Sequence, residues 1–216
     1  MVDMKIYVIR HGETNANREG VLQGISDWPL NEDGIKLAEI TGKNMKGIKF
    51  DACFSSPLVR AKQTAKLVLE NSDNKNVDIQ IDDRLIEMNM GIYEGKSIKP
   101  DNLEVPVVKI LLYKLNPFIS GRFKNGESAG ECCKRTQNFL YELAKKDYEC
   151  VLVSTHGGAL RAMLHKLYKN RLSYWQGIVP LNCSVSIIDV KDNKLTLLEM
   201  DKTYYPDEYK IDRYKL

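Results

Sequence analysis

The chain lacks most of what would tie it to a membrane, a metal or a nucleic acid. No apolar run is long enough to span a bilayer and no signal-peptide pattern precedes the first strand-like segment, so no membrane partner and a cytoplasmic location are expected. Cysteine is sparse and odd in number, with five residues at Cys53, Cys132, Cys133, Cys150 and Cys183. Cys132 and Cys133 are adjacent, which disfavours a disulfide between them, and no Cys-x-x-Cys pair offers zinc a seat. Reduced structural thiols, no metal and no cofactor are the expectation. A strong charge of either sign is also missing. The net charge of +3 over 216 residues is too small to argue for a nucleic-acid partner, which calls for a concentrated basic stripe. Histidine is rarer still, with three residues in the whole chain.

What remains is an ordinary globular composition, 43% hydrophobic and 28% charged, long enough to bury a core without staples. Met4 to Arg10 is a β-branched and aromatic run that reads as a buried strand ending at a loop. Asn31 can cap a helix whose stripe is Ile35, Ala38, Ile40, Met45 and Ile48. Ala52 to Ser55 reads as a second strand, Pro57 to Glu70 as a helix, and Val77 to Ile81 as a third strand. A helix follows from about Glu127 to Lys146, then a strong strand at Val151 to Ser154 and a helix from Gly157 to Tyr168. Ser184 to Val190 and Lys194 to Met200 close the chain as a strand pair around an Asp192-Asn193 turn, before a tyrosine-rich tail from Tyr204 that packs on the surface. Strand and helix alternate, which predicts an α/β fold with a mostly parallel central sheet covered on both faces. Residues 88–125 break this rhythm with scattered Gly and Pro around the apolar patch Val105 to Leu115. They are expected to form a cap inserted into a single domain spanning 1–216.

Two of the three histidines sit just beyond the strongest strand signals. His11 follows Ile6-Tyr7-Val8-Ile9-Arg10, and His156 follows Val151-Leu152-Val153-Ser154-Thr155. The carboxyl ends of strands are where open α/β sheets bind ligands, and a glycine after each histidine, Gly12 and Gly157, permits close backbone approach. Arg10 adjoins the first histidine, and Arg60 lies just past the second strand. Two arginine forks and two imidazoles at strand ends make a donor-rich, positively charged pocket, which is what phosphoryl transfer demands. Glu87, after the third strand and before the cap, is placed to serve as general acid, and its apolar sequence neighbours predict surroundings that would hold its proton. His165, the third histidine, has no partner in register and reads as structural.

Arg10-His11-Gly12-Glu13-Thr14 with Asn17, the segment Ser55-Ser56-Pro57-Leu58-Val59-Arg60-Ala61, then Glu87, then Thr155-His156-Gly157-Gly158 together resemble the histidine phosphatase superfamily, in its phosphoglycerate-mutase-like branch. Gly126-Glu127-Ser128 and Asn182 fit weaker signals, while Tyr93 stands before Glu94-Gly95 where the family often has tryptophan. The resemblance implies a three-layer α/β/α sandwich and a metal-independent phosphatase acting on a small phosphorylated metabolite. His11 would carry the phosphoryl group, Arg10, Arg60 and His156 would clamp its oxygens, and Asn17 would add a polar contact. Glu87 would protonate the leaving group and then help activate water. Gln23, Gly24 and Gly157 would line the substrate side. A neutral His11 can attack if a nearby backbone carbonyl fixes its tautomer. Two alternatives stand beside hydrolysis: a cofactor-dependent phosphoglycerate mutase, and a non-catalytic module that binds a phosphorylated ligand.

Overall fold

The computed structural model describes residues 3–170, 175 and 179–210. Its elements are β1 (Met4–Arg10), α1 (Asn15–Arg18), α2 (Glu32–Asn44), β2 (Ala52–Ser55), α3 (Val59–Asn71), β3 (Ile79–Ile81), α4 (Val107–Leu115), α5 (Ala129–Leu143), β4 (Cys150–Thr155), α6 (Gly157–Leu164), β5 (Val185–Lys191) and β6 (Lys194–Lys202). One six-stranded sheet runs in the order β3-β2-β4-β1-β5-β6. The first four of these are mutually parallel, and β5 and β6 add an antiparallel hairpin beyond β1. Asp192 and Asn193 turn that hairpin with φ of 49° and 61°, the left-handed pair that a two-residue hairpin turn requires.

Alternation along the central strands builds the two faces. Met4, Ile6 and Val8 of β1 join Val151 and Val153 of β4 under Phe139, Leu140 and Leu143 of α5 and Leu160, Met163 and Leu164 of α6. Tyr7, Ile9 and Leu152 point the other way, onto Leu37 and Ala38 of α2 and Ala65, Val68 and Leu69 of α3. The result is the three-layer sandwich, with β1 and β4 buried at its centre. Helix starts follow local chemistry. Asn31 Oδ1 accepts from Gly34 N at 2.8 Å to open α2, and Ser128 with Glu131 closes a capping box at α5.

Several expected boundaries move inward. β3 is confined to Ile79–Ile81, α5 starts at Ala129, and α6 stops at Leu164, where a turn replaces the last residues expected to be helical. Tyr205 anchors the tail by donating its hydroxyl to the Asn182 carbonyl at 2.7 Å; residues 211–216 of that expected extension lie outside the described residues. The five cysteines are free thiols, and burial pushes Cys53, Cys133, Cys150 and Cys183 up to about 12. No helix among the described residues is long and apolar enough to cross a membrane.

Candidate active site

The parallel register brings the carboxyl ends of β1, β2 and β4 side by side, so the loops leaving them converge. Arg10 is paired with Thr155, and His11 and His156 are each one residue further on. Their ring centroids lie 5.2 Å apart. His11 Nδ1 is 2.7 Å from the Gly12 carbonyl oxygen. A carbonyl only accepts, so Nδ1 carries the proton and Nε2 keeps its lone pair. Burial, followed by the charges of Arg60 and Arg10, holds the His11 imidazole well below its ordinary pKa despite that hydrogen bond.

His156 is fixed in the opposite tautomer. Arg60 Nε donates to His156 Nδ1 at 3.1 Å, leaving the proton on Nε2, which donates to Ser56 Oγ at 2.7 Å. Burial and the nearby Arg60 keep this ring neutral as well. Arg60 is wholly buried, and its remaining nitrogens donate to the Ser26 and Gly24 carbonyls at 2.7 and 2.8 Å. Arg10 donates through NH1 to the Pro180 carbonyl. Two permanent cations therefore stand beside two neutral imidazoles, an arrangement that favours an incoming dianion.

Glu87 meets something other than the apolar surroundings its neighbours suggested. Its carboxylate accepts from Met88 N at 2.7 Å, and from Gly158 N at 3.0 Å and Ala159 N at 2.8 Å in the first turn of α6. A side chain on Gly158 would place Cβ 2.7 Å from Glu87 Oε1, so glycine is what lets the acid reach the helix end. The backbone behind Glu87 is held by Arg135 of α5, which donates to the carbonyls of Arg84, Ile86 and Glu87 and pairs with Glu127 at 2.7 Å.

These groups floor a cavity of about 390 Å³ lined by Arg10, His11, Gln23, Gly24, Arg60, Glu87 and Gly157, with an apolar wall contributed largely by residues 88–125. Asn17 and His156 are buried behind the cavity surface rather than in it. Asn17 Oδ1 closes the capping box of α1 on Thr14 N at 3.2 Å, and Asn182 Nδ2 reaches the His11 carbonyl at 2.9 Å. Gln23 accepts from Thr14 Oγ1 at 3.0 Å. His165 accepts from Trp175 Nε1 at 3.1 Å, the structural role expected of it.

Three residues that sequence reasoning passed over matter here. Ser56 accepts a hydrogen bond from His156 Nε2, Arg135 braces the backbone at Glu87, and Glu94 ties the 88–125 segment to the floor. Glu94 accepts from Ile25 N and Ser26 N at 3.0 Å, from Ser26 Oγ at 2.7 Å and from Met90 N at 3.0 Å. It thereby fixes the loop whose Gly24 and Ser26 carbonyls hold Arg60. Gly24 adopts φ of 52°, and any side chain there would overlap the Glu94 carboxylate. The Glu94-Gly95 pair in the sequence was the available signal.

Comparison with known proteins agrees with this geometry. The sequence profile of the histidine phosphatase superfamily (branch 1) matches residues 6–203. Phosphoserine phosphatase 1 of Hydrogenobacter thermophilus is 28% identical over 213 residues, covering 98% of this chain and 99% of that protein. A broad-specificity phosphatase of Saccharomyces cerevisiae is 32% identical over 200 residues, covering 88% and 82%. Among solved structures, a phosphoglycerate mutase from Bacillus anthracis superposes with a TM-score of 0.79 at 27% identity, covering 94% of this chain and 95% of that one. The chain belongs to the histidine phosphatase superfamily, branch 1, and is a phosphatase.

Proposed function

We propose that the protein hydrolyses a small phosphomonoester through a phosphohistidine on His11, with residues 88–125 acting as the cap over the site. The observation that carries this reading is the His11 tautomer: Nδ1–H is spent on the Gly12 carbonyl, so Nε2 is the nucleophilic atom. Nε2 attacks phosphorus while the bond to the leaving oxygen breaks, and Glu87 gives that oxygen a proton. Arg10 and Arg60 stabilise the charge spread over the equatorial oxygens, and His156, behind the cavity surface, orients the Arg60 guanidinium through Nδ1. The Glu87 carboxylate then takes a proton from water as its oxygen attacks phosphorus, releasing phosphate and restoring His11. No step calls on a metal.

Rapid quench with a ³²P-labelled phosphomonoester tests the scheme. Acid-labile, alkali-stable label is expected on the wild-type protein and none on His11→Ala, whose turnover falls by about 10⁴-fold or more. Unchanged turnover in that variant overturns the assignment.

The likeness to a mutase structure gives a second reading a specific basis. A mutase must return the phosphoryl group to the bound product rather than pass it to water. Assay of 3-phosphoglycerate with and without 2,3-bisphosphoglycerate separates the two, and isomerisation without phosphate release would select the mutase.

A further inference from the structure

The cavity beyond the phosphoryl end has a chemistry that neither the catalytic residues nor the relatives dictate. Its outer wall is Ile98, Val105, Ile110, Tyr113, Phe123 and Trp175. The Tyr113 ring lies 5.6 Å from Phe123 and 6.3 Å from Trp175, giving a continuous aromatic surface. Its hydroxyl is turned onto Met88 Sδ at 3.6 Å, and burial pushes its pKa up, so the phenol stays neutral.

The charged groups along this wall are all cations: Lys109, Lys114 and Arg161. Lys109 is already committed, donating to the Ser120 carbonyl at 2.7 Å and lying over the Phe123 ring. Among the described residues, Glu87 is the one carboxylate lining the cavity, and it is engaged by three backbone N–H groups.

Resting on the reading of His11 and Glu87 above, we infer that the favoured substrate is the phosphomonoester of a bulky apolar or aromatic alcohol that carries no amine. An apolar leaving group gains by leaving water for this wall. The ammonium of an amino-acid phosphomonoester would lose its hydration among cations and, among the described residues, meet no carboxylate but Glu87, which three backbone N–H groups already engage. Phosphoserine, the substrate named for a relative that matches nearly the whole chain, is therefore a poor fit to this cavity.

A series of n-alkyl phosphates from ethyl to hexyl tests the inference, because the leaving alcohols have nearly the same acidity and only apolar area changes. The expected result is a rise in kcat/KM of about fourfold for each methylene until the cavity is filled. O-phosphoserine is expected at least about tenfold below propyl phosphate, the cost of an unpaired buried charge. A flat series, or phosphoserine or 3-phosphoglycerate at the head of the ranking, overturns it. Ile110→Asp, on the short exposed-sided α4, should lower hexyl phosphate turnover and raise phosphoserine relative to it. An unchanged hexyl phosphate rate in that variant also defeats the proposal, because the leaving group then lies elsewhere. A flat series with phosphohistidine still formed from ethyl phosphate defeats this inference alone. Absence of phosphohistidine defeats the catalytic reading beneath it.

Discussion

The floor of the cavity and the 88–125 segment face each other across one space and are built on opposite terms. Arg10, His11 and Arg60 on the floor and His156 just behind it are each at most 3% exposed, and each has a defined hydrogen-bond partner. Opposite them, α4 has no buried residue, its N-cap Pro106 makes no side-chain bond, and Val108 and Leu111 are 67% and 52% exposed. The floor is held by a parallel sheet, whereas the 88–125 segment is anchored at its ends by Met88 and Phe123, which pack on α5 and α6, and by backbone bonds to residues 20–22. Floor residues are therefore suited to fixing reacting atoms within a few tenths of an ångström, and the cap to shaping what may enter.

Glu94 is where the two regions meet, so removing it should break the contrast most. In Glu94→Ala the 23–26 loop loses its three hydrogen bonds to the Glu94 carboxylate, and the carbonyls that hold Arg60 are free to shift. Displacement of a clamp by about 1 Å is worth up to about 10²-fold, so a fall in kcat/KM of about 10- to 100-fold is expected. Glu94→Gln, which keeps an acceptor oxygen, should recover part of that loss while melting temperature changes little in either variant. Equal losses in both variants, or none, would mean that the tie does not position Arg60.

The floor was largely legible in the sequence and the cap was not. β1 and β4 announce themselves because strands buried on both faces read as unbroken apolar runs, and the residue after each run necessarily lands at the sheet edge. That placed His11 and His156 together. Glu87 was located by position, but its surroundings were misjudged: its sequence neighbours Ile86 and Met88 are apolar, while its spatial neighbours are the N–H groups of α6. Arg135 and Ser56 escaped notice because each acts on a residue far away in sequence. Val105 to Leu115 was visible only as an apolar patch, because the helix is short, apolar at most of its positions and opens on Pro106 without a capping side chain.

Acid should sharpen the comparison next. His11 and His156 are neutral in the folded protein because burial and Arg60 depress their pKa values well below 6.5. In the unfolded chain both return to about 6.5, so below that pH the unfolded state takes up protons that the folded state refuses. Stability is thus fully present above about pH 6.5 and falls as pH drops, by up to about 1.4 kcal/mol per pH unit for each histidine. Urea unfolding of wild type and His11→Gln at pH 7.5, 6.0 and 5.0 isolates one of these contributions. The wild type should lose more stability on acidification than the variant, and parallel losses would show that His11 is not held neutral by the fold.

The smallest effect is expected on the outer face of α4. Val108 and Leu111 face solvent and line no part of the cavity, so serine there forfeits little burial on folding. Val108→Ser and Leu111→Ser should each change stability by less than about 0.5 kcal/mol and leave kcat/KM on ethyl phosphate within about twofold. The same reasoning turns against Ile110, one residue from Leu111 but on the cavity side, where a polar side chain must change what binds. A short helix with one inert face and one selective face is what the contrast between cap and floor predicts. A loss of activity from the outer-face variants would mean that α4 supports the catalytic floor as well as the entrance.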